Sequence, residues 1–517
     1  MEIVKDKVLL VRTKTPERIT ETIEGSKALT ENAGIHMVAV NWNLKEAQLL
    51  KRLKFKSVPS PINRDYNWPG VYPPMQHQRE TAAFLTLHPR SFCFNEQGTG
   101  KTAAAIWASD YLLQVGAVKR VLIVCPLSIM QSAWQADLFK FAIHRKVGLA
   151  HGPREKRKEI ISAPYDYIII NYDGVEIVSK EIEKGGFDLI IIDEANAYKN
   201  PATKRWKIMR NLVKPETYLW MMTGTPAAQS PVDAYGIAKL CVPDNVPKVF
   251  GAFRDRVMEQ FGKFKWIPKH NASEIVHATL QPAIRYTKEE CLDLPDIVYV
   301  EREAPLTSQQ NKYYKEIKNK LAAEAVGEEI SAVNAAAKLI KLLQISGGAV
   351  YADSGTVIEF DVSNRLQVVK EVIEEASHKV LVFVPFRHTI ELLDVYLTQS
   401  GIRTEIICGD VPISKRTDIF NRFQTQDNPQ VLIIQPQSAA HGVTLTAANV
   451  VIWYSPVTSI ETYLQANARI NRKGQKNSMT VVHIQGSAVE RDLYKMLSKK
   501  LDTHQSLVDL YKNAVST

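Results

Sequence analysis

Three short stretches carry residue types that could act on a phosphate group. "FNEQGTGKT" places Gly98 and Gly100 just ahead of Lys101 and Thr102, with an Ala-rich helix former downstream. Glycines let backbone amides curl around phosphate oxygens, a helix N-terminus adds its positive end, a lysine supplies a point charge and a threonine hydroxyl can hold Mg2+. The residues Gln97, Gly98, Thr99, Gly100, Lys101 and Thr102 are therefore the candidate nucleotide site, although Asn95 stands where the strict phosphate-loop spacing has its first glycine. Further along, "LIIIDEAN" sets Asp193 and Glu194 at the end of an apolar run. One carboxylate there can hold magnesium and the other can polarise an attacking water. Near the C-terminus, "QANARINRKGQ" spaces Arg469 and Arg472 three apart, hence on one face of a helix. If the two halves of the chain face each other, these guanidiniums reach the γ-phosphate and stabilise the charge that develops on transfer. A Gly-rich turn, two acids capping a strand and a solvated arginine pair are ordinary features taken singly. In this order and together they point to ATP as ligand, with Mg2+.

The elements that must position these residues fall into two blocks with one rhythm. Short runs rich in Val and Ile end in polar or Gly/Pro clusters and are separated by amphipathic stretches of helix length. The first block has "VLIVCP", "YIIINYD", "DLIIIDEA" and "YLWMMTGTP"; the second has "KVLVFVPF", "QVLIIQPQ", "VVIWYSP" and "TVVHIQG". Continuous rather than alternating apolar runs suit a parallel sheet covered on both faces. The expected fold class is α/β, two doubly wound parallel-sheet lobes with helical insertions plus a small N-terminal module. The expected domains are a basic module and Pro/Gly/Trp/Tyr-rich linker at 1–70, a first lobe at 71–240, a helical protrusion from that lobe at 241–350 with a hairpin-like connector at its end, and a second lobe at 351–517.

At 517 residues the chain exceeds what one hydrophobic core supports. A net charge of +10 favours a polyanionic partner, although soluble basic proteins are nearly as common. Five cysteines, far apart and without CxxC spacing, argue against zinc and against a disulfide framework. No run of about eighteen apolar residues occurs, so no membrane role is expected. The expected setting is intracellular: the cytoplasm of a bacterium or phage-infected host, otherwise the nucleus.

Taken in order, these segments resemble the motifs of superfamily-two helicase-type ATPases, and specifically of Swi/Snf-type DNA translocases, over about residues 70 to 500. "MQHQRETAAFL" is similar to the adenine-recognition segment, with Gln78 as the base-reading amide. "NEQGTGKT" resembles motif I, "CPLSIMQSAWQADLFKF" motif Ia, "DEAN" motif II and "MTGTPAAQSPVDAYGI" motif III. "IRYTKEECLDLP" resembles the segment that follows the family's helical protrusion. In the second lobe "SAAHGVTLTAANVVIWYSP" is similar to motif V and "QANARINRKGQ" to motif VI, with Ala468 in place of a frequent Asp. The resemblance implies RecA-like lobes and a catalytic set of Asp193, Glu194, Lys101, Arg469 and Arg472. It further implies magnesium held by Thr102 and Asp193, nucleotide contact from Gln465, and coupling of motif II to motif III through Asn196, Thr223, Gly224 and Thr225. Asn196 replaces a residue that varies in the family, and its amide keeps donor and acceptor groups. An active ATPase is expected.

Gripping a nucleic-acid backbone calls for hydroxyls, amides and basic groups, which predicts weak sequence preference and strong salt dependence. Ser128, Tyr172, Arg416 and Thr446 are the candidate DNA contacts, with ordinary loop polarity as the alternative for each. "PREKRKE" at 153–159 could extend such a track, and a solvated helix face is the alternative. The expected activity is ATP-driven movement along duplex or branched DNA, remodelling or reannealing DNA or protein–DNA complexes in replication or repair. A strand-separating DNA or RNA helicase and a non-catalytic DNA-binding scaffold are the rivals. A monomer suffices for this reading, because both halves of the ATP site lie in one chain.

Overall fold

The computed structural model describes residues 1–32, 34–227, 229–261, 265–327, 332–351, 356–439 and 443–499. The described chain divides into two compact units, one spanning Met1–Cys291 and the other starting at Leu292.

The first unit is built on a seven-stranded, all-parallel sheet. Its strand order is Ala283–Ile284, Arg90–Cys93, Tyr218–Met222, Leu189–Asp193, Val121–Cys125, Tyr167–Asn171 and Val147–Ala150. Every residue of the three strands Val121–Cys125, Tyr167–Asn171 and Leu189–Asp193 is buried. The reason is the two-residue period of a strand. Leu122, Val124, Ile168, Ile170, Ile190 and Ile192 enter a core on one face, while Val121, Ile123, Tyr167, Ile169, Leu189 and Ile191 enter a separate core on the other. Helices on both faces thus explain why the sequence reads as unbroken apolar runs.

The N-terminal residues form their own antiparallel sheet, ordered Glu2–Val4, Val8–Thr13, Ile35–Asn41 and Lys27–Asn32. Its helix Leu44–Arg52 docks it on the first lobe, where Gln48 Nε2 donates to the carbonyl of Thr86 at 2.7 Å. The expected linker is no free tether. Tyr66 donates to the buried Asp110 at 2.5 Å, and Trp107 Nε1 donates to the carbonyl of Pro69 at 2.7 Å. Both acceptor and donor helix residues belong to Lys101–Gln114, so the linker is strapped to the helix that follows the Gly-rich loop.

The second unit has a six-stranded parallel sheet in the order Ile297–Glu303, Met479–Gln485, Ala448–Trp453, Lys379–Phe383, Val431–Ile434 and Thr404–Ile407. A buried ion pair fastens it: Arg365 donates to both oxygens of Glu490, at 2.8 and 2.7 Å, and to the carbonyl of Tyr454 at 2.7 Å.

The 241–350 stretch departs from the expected single protrusion. Residues 250–284 belong to the first unit and contain a β-hairpin, Met258–Phe261 with Lys265–Pro268, as well as helices. Ala283–Ile284 completes the first sheet, whereas Ile297–Glu303 is the edge of the second. The helices Ser308–Gly327 and Ala332–Gly347 lie in the second unit, with Leu342 and Ile345 packed against Val350 and Phe360. Tyr314, Leu342 and Ile345 are therefore buried within the second unit. The connector expected after them is present as the hairpin Ala349–Tyr351 with Val357–Glu359. Among the described residues no helix is long and apolar enough to cross a membrane.

Candidate active site

The chemistry-bearing residues of the first unit gather at the carboxyl ends of three adjacent strands, the usual ligand edge of a parallel sheet. After strand Arg90–Cys93 the chain turns through Gly98 (φ +92°) and Gly100 (φ +81°) into helix Lys101–Gln114. Gly100 is required twice over: its φ lies in the left-handed region, and a Cβ there would sit 2.0 Å from Gln78 Nε2. Gln78 itself is buried, its Oε1 accepting from the Met75 amide at 2.9 Å and its Nε2 donating to the Thr99 carbonyl at 3.3 Å. His77 Nε2 meets the same carbonyl at 2.7 Å. The segment expected to read adenine thus also clamps the loop from outside.

Asn95 has a structural task that explains why it is not glycine. It is 1% exposed, donates to Thr81 at 2.8 Å and accepts from the Tyr286 amide at 3.1 Å. Next to it, Glu96 takes Arg285 Nη2 at 3.2 Å and the Lys288 amide at 3.1 Å. Arg285, buried, also donates to the carbonyls of Phe94 at 2.8 Å and Gly224 at 3.3 Å. One guanidinium therefore joins the Gly-rich loop to the loop after strand Tyr218–Met222. Composition and spacing did not single out Arg285; the only signal was its place in "IRYTKEECLDLP".

Asp193 ends its strand 5% exposed. Its Oδ2 accepts from Trp134 Nε1 at 2.9 Å and its Oδ1 from the Glu194 amide at 3.0 Å. Trp134 is wholly buried in a π-helical turn, Met130–Gln135, a local widening common at functional sites. Glu194 then adopts φ +50°, ψ +60°, a left-handed conformation that a side-chain-bearing residue holds only at some cost in strain. Thr223 donates to Glu194 Oε2 at 3.5 Å. Asn196 Nδ2 donates to the Thr225 carbonyl at 3.1 Å, with Thr225 Oγ1 at 3.4 Å and Thr223 Oγ1 at 3.5 Å. The amide of Asn196 therefore bridges the two loops, and Gly224 lies beside Gln97.

The site's donors fit a magnesium nucleotide. Each oxygen of Asp193 accepts one described hydrogen bond and keeps lone-pair capacity for a hard cation or its water. Among the described residues the buried Nε2 of Gln97 has no acceptor, a donor left over beside the loop that would hold phosphate.

In the second unit the arginines do not share a helical face. Helix Ile460–Asn467 ends before them, and Arg469 and Arg472 lie in the following turns. The helix-face geometry inferred from their spacing is corrected accordingly; turn geometry and the preceding loop bring them together. Arg469 Nη1 donates to the carbonyl of Val443 at 3.2 Å, and Arg472 donates to the Ala468 carbonyl and the Thr444 hydroxyl, both at 3.1 Å. Burial lowers the Arg472 pKa to about 10. Gln475 Nε2, bonded to the carbonyls of Ala448 at 2.8 Å and Ile470 at 3.2 Å, ties this turn to the strand before it. Gln465 is buried within the helix, its Nε2 directed at Glu461 Oε1 at 3.4 Å.

Of the candidate DNA contacts, Tyr172 and Arg416 have internal tasks. The Tyr172 hydroxyl donates to the Asp193 carbonyl at 2.6 Å, and burial beside Glu194 and Asp193 pushes its pKa well up. Arg416 binds the carbonyls of Val411 at 2.7 Å and of Cys408 and Gly409 at 2.9 Å, which fixes the loop before its helix. Ser128 is half-buried in the turn leading to Trp134. Thr446, also half-buried, is met by Gln424 Nε2 at 3.4 Å. In the basic cluster at 153–159, Arg157 is buried and holds Ala150 and Gly152 carbonyls at 2.7 and 2.8 Å, so that charge is structural.

A Gly-rich loop opening a helix, with an Asp-Glu pair ending a parallel strand next but one in the same sheet, is the arrangement of a phosphate-loop nucleoside triphosphatase. The chain belongs to the SNF2 family: a SNF2-related domain matches residues 39–347 and a helicase conserved C-terminal domain matches residues 364–474. An uncharacterized ATP-dependent helicase of Mycoplasma pneumoniae is 25% identical over 396 residues, 75% of this chain and 37% of that protein. A Caenorhabditis elegans homolog of SWI/SNF-related matrix-associated actin-dependent regulator of chromatin subfamily A-like protein 1 is 25% identical over 466 residues, 88% of this chain and 64% of that protein. The chain thus spans less than two thirds of the length of these relatives. The solved Sulfolobus solfataricus SWI2/SNF2 ATPase core in complex with dsDNA aligns at 23% identity and a TM-score of 0.41, covering 85% of this chain and 94% of that one.

Proposed function

We propose that the chain is an ATP-driven translocase on duplex or branched DNA. The observation that carries the catalytic half is the joined geometry of Asp193, Glu194 and Asn196. Asp193 is aimed by Trp134, Glu194 is held beside Thr223, and Asn196 links them to the Thr223–Thr225 loop. In this reading the Gly98–Thr102 amides and Lys101 bind the nucleotide phosphates, and Thr102 and Asp193 hold Mg2+. Bound magnesium neutralises charge on the transferring phosphoryl group. Glu194 accepts the proton of the attacking water, and its strained backbone fixes where that carboxylate points.

The nucleic-acid half is supported by family membership and by the net charge of +10. Duplex DNA fits a motor that grips backbone and reads no bases. Remodelling or reannealing of DNA in replication or repair is the biological role proposed.

ATP turnover by the purified chain, alone and with linear duplex, forked DNA, single-stranded DNA or RNA, tests this reading. The expected result is stimulation by duplex or forked DNA that Glu194→Gln abolishes. Stimulation by RNA alone would move the protein to the strand-separating RNA helicases. Tight DNA binding without turnover would make it a scaffold.

A further inference from the structure

Tyr172 begins the helix Tyr172–Ile177, directly after the strand Tyr167–Asn171. In the sheet that strand is separated from Leu189–Asp193 by Val121–Cys125, so the phenol reaches past the end of the intervening strand to meet the Asp-Glu pair. Its hydroxyl donates to the Asp193 carbonyl at 2.6 Å, with the Glu194 carbonyl as a second acceptor at 3.3 Å. These two carbonyls flank the residue whose backbone is left-handed, Glu194 at φ +50° and ψ +60°.

A side-chain-bearing residue keeps such a conformation only where its surroundings over-determine it. Three bonds contribute here. The Glu194 amide donates to Asp193 Oδ1 at 3.0 Å, the Ala197 amide donates to the Glu194 carbonyl at 3.1 Å, and the Tyr172 hydroxyl supplies the third. The first two lie within the turn and would travel with it, whereas Tyr172 ties the turn to a separate element. The ring that carries this hydroxyl is itself held. Tyr198, wholly buried, meets it edge to face at 5.9 Å, and the Arg205 guanidinium lies over it at 5.0 Å. Arg205 is fixed in turn by Asp173, Nη2 to Oδ1 at 2.8 Å. A hydroxyl committed to a carbonyl, on a ring covered by a guanidinium, suits internal support better than a grip on DNA.

Position matters for a general base. A carboxylate that takes a proton from water has to lie within hydrogen-bond reach of it, and a displacement of about 1 Å can cost about 10²-fold in rate. We infer that Tyr172 is a positioning residue for hydrolysis, its hydroxyl latching the Asp193–Glu194 peptide so that the Glu194 carboxylate is held toward the attacking water. This role deepens the translocase reading and rests on it for Glu194 as the base.

Tyr172→Phe removes the hydroxyl and keeps the ring. Tyr494→Phe is the matched control, because Tyr494 also donates a buried hydroxyl to a carbonyl, that of Trp453 at 3.2 Å, in the second unit. Three quantities are measured on the full chain: DNA-stimulated turnover against ATP concentration, affinity for forked and linear duplex by fluorescence anisotropy, and amide hydrogen exchange over residues 189–198 without nucleotide. Tyr172→Phe is expected to lower the maximal rate about tenfold, the upper end for one hydrogen bond, with KM for ATP and both DNA affinities unchanged. Exchange over 189–198 should be faster than in the native chain, and Tyr494→Phe should leave rate and exchange near native. A maximal rate and an exchange pattern equal to native overturn the inference. So does a loss of DNA affinity that matches the loss of rate, which would return Tyr172 to the DNA interface, or an equal fall in rate in Tyr494→Phe. Native turnover that Tyr172→Phe leaves intact sinks the latch and keeps the motor. A native chain without DNA-stimulated turnover, whose 189–198 exchange still quickens in Tyr172→Phe, sinks the motor and keeps the latch.

Discussion

The two arginine-bearing regions of the molecule, around Arg285 in the first lobe and around Arg469 and Arg472 in the second, are held in opposite ways. Arg285 is gripped by segments far apart in sequence: the Phe94 and Gly224 carbonyls and the Glu96 carboxylate. The described bonds of Arg469 and Arg472 are short-range or reach only to the Val443–Thr444 loop, and their acceptors are neutral. A guanidinium bound to two carbonyls and a carboxylate from two loops distant in sequence cannot move without parting those loops. Arg469, 2% exposed, and Arg472 are tied instead to their own turn and to the Val443–Thr444 loop. The first arrangement suits a fixed brace under a phosphate loop, and the second gathers two charges on one turn of the second lobe.

Replacing each kind of arginine separates the roles, and the second-lobe pair should give the larger catalytic effect. Arg469→Ala or Arg472→Ala is expected to lower DNA-stimulated turnover by about 10³-fold, the low end for losing a guanidinium that stabilises transferred phosphoryl charge. Nucleotide binding should stay near native, with Arg472→Ala the milder of the two for stability because Arg469 is 2% exposed. Steady-state turnover with a nucleotide-binding assay checks this, and a fall of less than about threefold in turnover would assign both arginines to structure alone. Arg285→Ala should do the reverse. It leaves two buried carbonyls and Glu96 without their donor, and unfolding free energy should fall by about 3 kcal/mol, toward the lower limit for breaking a buried pair because Glu96 is partly exposed. Urea denaturation reads that loss, and intact stability would show the brace to be dispensable.

Trp134→Phe probes the metal side of the same brace with a smaller change. The ring still fills its buried space, but the donor to Asp193 Oδ2 is gone. The Mg2+ concentration for half-maximal turnover should rise about tenfold, with the maximum recovered at high Mg2+, as expected when a hydrogen-bond partner of a metal ligand is removed. An unchanged Mg2+ dependence would mean that Trp134 only packs.

Much of this was legible before the structure. The parallel strands around Ile123, Ile169 and Ile191 announced themselves because burial on both faces demands unbroken apolar runs. The Gly-rich loop and Asp193-Glu194 were legible because their chemistry needs those residue types. What was hidden depends on contacts between distant segments. The strand Ala283–Ile284 is two residues long and carries no periodicity, yet it places Arg285. The hairpin after Val257 has only four residues per strand and sits in a stretch whose longer segments read as helix. Tyr172 and Arg416 read in sequence as loop residues that could meet DNA, because nothing local marks the carbonyls they bind. The Arg469–Arg472 spacing suggested a helix, and only the end of Ile460–Asn467 shows that it stops short.

The smallest predicted effect concerns Asn196, which the resemblance assigns to coupling motif II with motif III. Its Nδ2 donates to the Thr225 carbonyl at 3.1 Å, so the position needs a donor and not merely a polar group. Asn196→Ala removes one such bond, worth about 1 kcal/mol, and should reduce DNA-stimulated turnover about fivefold. Asn196→Asp should be no better than alanine, because an ionised carboxylate accepts only and would face a carbonyl oxygen. Asn196→His can donate from a ring nitrogen and should retain most of the stimulation. That order, with His above Ala and Asp at or below Ala, follows from a donor to Thr225. Rescue by Asp would instead show that coupling runs through a charge, and that the described bond to Thr225 is incidental to it.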